Sequence, residues 1–93
     1  MPLEKAIVGR LQAKLNLAGK VIKTEGGGEP DLIGVWRGVP YAIEVKQPGK
    51  KPTPLQLHRL EQWRRAGAIA MWITNADEAF DELDNLIAAR LGK

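Results

Sequence analysis

Two short β-patterned runs, Asp31 to Trp36 and Tyr41 to Lys46, flank Arg37-Gly38-Val39-Pro40, a connection tight enough to make them adjacent strands of a hairpin. Along the second run, alternation sends Tyr41, Ile43 and Val45 to one face and Ala42, Glu44 and Lys46 to the other. A helical stretch follows, and then another apolar run, Ala68 to Thr74. A strand, a helix and a second strand in one sheet form a parallel, right-handed crossover. A hairpin feeding such a crossover requires a mixed sheet with a helix packed on it.

The remaining elements fit around that nucleus. Pro2 to about Leu17 reads as a helix with Pro near its start, and Leu3, Ile7, Val8, Leu11 and Leu15 fall at helical spacing before Gly19 ends it. Lys20 to Thr24 is a short strand, followed by Gly26-Gly27-Gly28. Gln47 to Pro52 is a loop rich in Lys, Pro and Gly. Thr53-Pro54-Leu55-Gln56 has the form of a capping box opening a second helix that runs to about Ala66. Asn75-Ala-Asp-Glu78 caps a third, whose apolar face carries Phe80, Leu83, Ile87 and Leu91. The expected class is α/β, in the order α-β-β-β-α-β-α, with residues 1–93 as one domain and no repeats. At 93 residues the core is small. A hydrophobic fraction of 44% is ordinary for a globular protein. No apolar run is long enough to span a membrane, and the N-terminus lacks the pattern of a signal peptide, so a cytoplasmic protein is expected. The absence of cysteine excludes disulfides and thiolate metal sites.

Charge is unevenly spread. Between Lys46 and Arg65 stand six basic residues, Lys46, Lys50, Lys51, Arg59, Arg64 and Arg65, against the single acid Glu61. From Asn75 to Lys93 five acids face two basic residues. A basic loop and helix beside an acidic tail helix suits a polyanion partner such as DNA, and equally describes a solvated face.

Chemistry enters with Asp31, Glu44 and Lys46. A charged pair on a strand ordinarily marks its wet face, and an Asp after Pro ordinarily marks a turn. On adjacent strands the three also suit a hard divalent cation held by carboxylate oxygens, with the lysine beside the water that attacks phosphorus. Glu4 adds to this, because on a helical wheel it falls amid the apolar stripe of the first helix. A carboxylate aimed at the core is costly unless paired or metal-bound; in a first turn it also complements the helix dipole. Gln56 shares a face with Leu60 and Trp63, where it could orient a water or phosphate, and is equally the capping partner of Thr53. His58, the only histidine, lies elsewhere on that helix and is assigned no metal. Trp36, Trp63 and Trp72 suit core or interface positions, and Trp36 could also stack on a base. The glycine run is no phosphate loop, since no Gly-Lys-Ser/Thr follows.

Gly28-x-Pro30-Asp31, Glu44-Val45-Lys46 and Gln56, together with Glu4 and the order of elements, resemble the PD-(D/E)xK nuclease superfamily and, within it, the virus-type replication-repair nuclease (VRR-NUC) domain. The resemblance runs from Glu4 to about Asn75. It implies a restriction-endonuclease-like αβββαβ core with a mixed sheet flanked by helices, plus a C-terminal helix. It further implies Mg2+ or Mn2+ held by Asp31, Glu44 and the Val45 backbone carbonyl, with Glu4 completing the pocket directly or through water. Lys46 matches the motif lysine and Gln56 the helix glutamine. Stand-alone modules of this size resemble bacteriophage enzymes, which implies a homodimer cutting branched DNA such as four-way (Holliday) junctions. Lys50, Lys51, Arg59, Arg64 and Arg65 are the expected DNA contacts. The alternatives are a non-catalytic DNA-binding or dimerisation module on the same fold, and a restriction or toxin-like nuclease.

Overall fold

The computed structural model describes residues 2–92. Seven elements follow one another: α1 (Pro2–Ala18), β1 (Lys20–Lys23), β2 (Leu32–Trp36), β3 (Val39–Val45), α2 (Pro54–Arg65), β4 (Ile69–Ile73) and α3 (Ala76–Arg90). The strands form one sheet in the order β1-β2-β3-β4, antiparallel from β1 to β3, with β4 parallel to β3. This is the mixed α/β architecture expected.

The hairpin turn is shorter than the sequence suggests. It consists of Arg37 and Gly38 alone, with φ of 53° and 78°, and Trp36 pairs directly with Val39. Positive φ at both central residues is the I′ geometry that matches strand twist. Val39 and Pro40 therefore belong to β3. Proline is tolerated because the Trp36–Val39 pair closes the turn, which leaves Pro40 opposite Val35 at a position that needs no N–H toward β2. Pairing with β4 begins only at Tyr41.

The two sheet faces are covered differently. Val8, Leu11 and Leu15 of α1 and Ala79, Leu83 and Ile87 of α3 pack on Tyr41, Ile43 and Val45, the face that alternation assigns to the core. On the opposite face α2 covers Ala42 and Ala70 with Leu60 and Trp63. Leu3, by contrast, is exposed and stays out of the core. Trp36 stacks on Phe80 with ring centroids 5.0 Å apart, and Arg10 binds Asp77 with two hydrogen bonds, joining α1 to α3. Gly34 lies between β1 and the Tyr41 ring. A β-carbon there would come within 2.0 Å of the Lys20 carbonyl and 2.5 Å of the Tyr41 hydroxyl. Among the described residues no helix is long and apolar enough to cross a membrane.

Candidate active site

The antiparallel ladder between β2 and β3 ends at Leu32–Ile43, which leaves Asp31 opposite Glu44. Instead of a backbone bond, the Val45 N–H donates to Asp31 Oδ2 at 2.8 Å. That bond holds the Asp31 side chain against β3 and leaves its other oxygen uncommitted. In an antiparallel pair a residue directs its N–H and carbonyl to the same neighbour, so the Val45 carbonyl faces the Asp31 side too. Thr24 steadies the approach: its hydroxyl donates to the Pro30 carbonyl at 2.7 Å and its N–H to the Asp31 carbonyl at 2.9 Å.

Glu44 is 2% exposed, the only buried charged residue among those described. Alternation puts it on the α2 side of the sheet, and α2 makes that side dry. Its Oε2 lies 3.6 Å from Lys46 Nζ, while its Oε1 is buried without a hydrogen-bond partner. Burial, and then the nearby Asp31 charge, push the Glu44 carboxyl up to about 7 despite Lys46. Asp31 is raised as well, mainly by burial, with the Val45 N–H acting against it. Two mutually repelling carboxylates with an orphaned buried oxygen form a donor set suited to a hard divalent cation. Asp31, Glu44 and the Val45 carbonyl are the groups that would hold it.

Glu4 lies close enough for its charge to help raise both carboxyls. Its Oε2 accepts a hydrogen bond from the Gln47 N–H at 3.2 Å, tying α1 to the first residues of the loop after β3. Among the described residues no three carboxylates or imidazoles cluster tightly enough to hold a metal together. Direct ligation by Glu4 beside Asp31 and Glu44 is therefore not preformed. Glu4 does border the same cleft as Asp31.

Gln56 takes its capping role in this conformation: its Oε1 accepts the Thr53 N–H at 2.9 Å while its own N–H donates to Thr53 Oγ1 at 3.2 Å. The basic stretch divides in two. Lys50 and Lys51 are exposed on the loop between β3 and α2, without ion pairs among the described residues. The arginines are engaged. Arg64 donates to Glu61 and to the Ala70 carbonyl, both at 2.7 Å, and Arg65 to Glu61 at 3.3 Å. Arg59 Nε lies 3.3 Å from Glu29 Oε2, an ion pair without hydrogen-bond alignment.

Two residues at the site escape sequence reasoning. Glu29 accepts the Trp63 Nε1–H at 3.0 Å and faces Arg59, clamping the loop before Asp31 to α2. Gln47 presents a buried, unpartnered Oε1 beside Lys46. The only signal for either was its place next to a motif residue.

Solved structures align with this fold. One, described as a VRR_NUC domain, aligns with a TM-score of 0.67 and 31% identity over 91% of this chain and 94% of its own. A second, a VRR_NUC domain protein, aligns with a TM-score of 0.68 and 18% identity over 87% of this chain and 84% of its own, a likeness of fold alone. No family model matches the sequence, and no curated protein matches it significantly. The fold is of the restriction-endonuclease-like class. With 31% of positions identical across nearly both full lengths, the chain belongs to the VRR-NUC domain family.

Proposed function

We propose that this VRR-NUC domain is a divalent-metal-dependent DNA endonuclease, selective for branched substrates such as four-way junctions and acting as a homodimer. The observation that carries the hydrolytic part is the pair Asp31 and Glu44 at the end of the β2–β3 ladder, with one buried Glu44 oxygen unpartnered and Lys46 beside the other. A bound Mg2+ or Mn2+ supplies Lewis acidity toward a phosphate oxygen and a more acidic water.

The chain's own residues do the rest. The Val45 N–H holds Asp31 in one orientation, so its second oxygen needs no reorganisation. Lys46 places a compact positive charge where negative charge grows on the phosphoryl oxygens, and it orients the attacking hydroxide. Glu4, through Gln47, anchors the loop that follows Lys46. Glu29 anchors the loop that precedes Asp31. Both carboxylate-bearing segments are thus braced from outside the reacting centre.

Incubation with a labelled four-way junction and a matched linear duplex, in Mg2+, Mn2+ or EDTA, tests the reading. Paired junction cleavage in either metal, none in EDTA and none by Asp31→Ala or Glu44→Ala is the expected result. Cleavage retained by both variants would sink the site assignment.

A further inference from the structure

We propose that the cleft between α1 and β1, beside Asp31, seats the phosphodiester backbone of the substrate strand next to the bond that is cut. The inference rests on the phosphodiesterase reading above and assigns its substrate a path that the α2 arginines do not provide.

Three observations converge there. Lys5, Gln12 and Lys23 line one cleft with Glu4 and Asp31. Neither lysine has an ion-pair partner among the described residues, whereas Arg59, Arg64 and Arg65 already face carboxylates. Lys23 and Asp31 border the same cleft. A cleft that joins free cations to a catalytic carboxylate is complementary to a phosphate chain leading into the site.

Gly9 supplies the third observation. It sits inside the long helix α1, where glycine is less stable than alanine. Packing does not require it, because a β-carbon there would meet nothing within 4 Å. Yet Gly9 lines this cleft. A helical glycine with open space above it, next to cations and Asp31, leaves room for a ligand backbone to approach closely.

The test pairs stability with binding, using a fluorescein-labelled four-way DNA junction in Ca2+ buffer across a salt series. Gly9→Ala and Gly9→Gln should raise the thermal midpoint, since both improve helix propensity. Affinity should nonetheless fall, more for Gln than for Ala, and by at least tenfold for Gln. Lys5→Ala and Lys23→Ala should each lower the log–log salt slope by roughly one unit. Lys20→Ala, on the same strand but outside the cleft, should leave the slope unchanged.

A Gly9 series that gains stability at full affinity would overturn the proposal, as would unchanged slopes for both lysine variants. So would a wild-type protein that does not bind the junction. If these variants fail to affect binding while wild type cleaves in Mg2+, the subsite is wrong and the nuclease reading stands. If they weaken binding as expected while no metal supports cleavage, the subsite stands and the nuclease reading is wrong.

Discussion

Glu44, buried with one oxygen unpartnered, is the side chain on which the proposed chemistry turns. Its carboxyl is raised from an ordinary 4.5 to about 7, chiefly by burial and then by Asp31. A raised folded-state value means that the native protein holds this proton when the unfolded chain has released it. The contribution to stability is therefore fully present below about pH 4.5 and lost as pH rises through about 7. Its size is on the order of a few kcal/mol at most. In divalent-free buffer the thermal midpoint should fall across that window, and Glu44→Gln should flatten the fall while abolishing cleavage. A Glu44→Gln protein that melts lower than wild type above neutral pH would contradict a costly charge at this position. Lys46 allows a complementary experiment. If its role is electrostatic, Lys46→Arg should retain DNA binding and lose most activity, because a planar fork cannot stand in for a compact ammonium. The wild-type pH–rate profile should then follow the attacking water, and a limb that vanishes with Lys46 would instead identify it as the general base.

Among the elements, α2 serves both stability and placement. Its first turn is closed reciprocally by Thr53 and Gln56, and its body covers the face that holds Glu44. Gln56→Glu keeps the capping geometry, since glutamate is the other standard partner in such a box. Unchanged melting with unchanged cleavage would limit Gln56 to the cap. Unchanged melting with lost cleavage would show a second role in the site, reached by leaving the cap. Gln56→Ala should cost about 1 kcal/mol of stability in either case. The loop ahead of α2 carries Lys50 and Lys51, without ion pairs among the described residues, while Arg64 and Arg65 share Glu61. Charge removal at each of the two lysines should lower the salt slope of junction binding by roughly one unit. Removal at Arg64 or Arg65 should change it less. Equal losses at all four positions would mean that the arginines abandon Glu61 for DNA.

At the scale of the whole molecule, one chain carries one candidate site, and the proposed symmetric incision of a junction needs two. A two-fold dimer is the simplest way to present them. The tryptophans narrow the search for its interface. Trp36 stacks on Phe80 and Trp63 is bound to Glu29, whereas Trp72 on the edge strand β4 remains 40% exposed. A dimer is expected in sedimentation, with Trp72→Glu weakening it at least tenfold. A wild-type monomer making single random nicks would rule the arrangement out.

Much of this molecule was determined locally and could be read without a structure. Period-two alternation across Tyr41 to Val45, helical spacing along α1 and α3, and the caps at Thr53 and Asn75 all follow from neighbours a few residues apart. The juxtaposition of Asp31 with Glu44 was legible for the same reason, because a tight hairpin places its two strands in register. The two-residue turn was harder to see. Pro40 looks like a strand breaker until the sheet shows that its missing N–H faces no partner. What only the tertiary structure decided depends on groups far apart in sequence. The dry face around Glu44 exists because α2 lands on it, and Glu4 meets Gln47 because α1 and the loop after β3 begin side by side. The arginines of α2 turn inward or toward Glu61 because those acceptors lie within reach, while Lys5 of α1 and Lys23 of β1 find none among the described residues. Burial and charge pairing are sums over the whole fold, so periodicity can name the residues of a site but not say which of their atoms remain free.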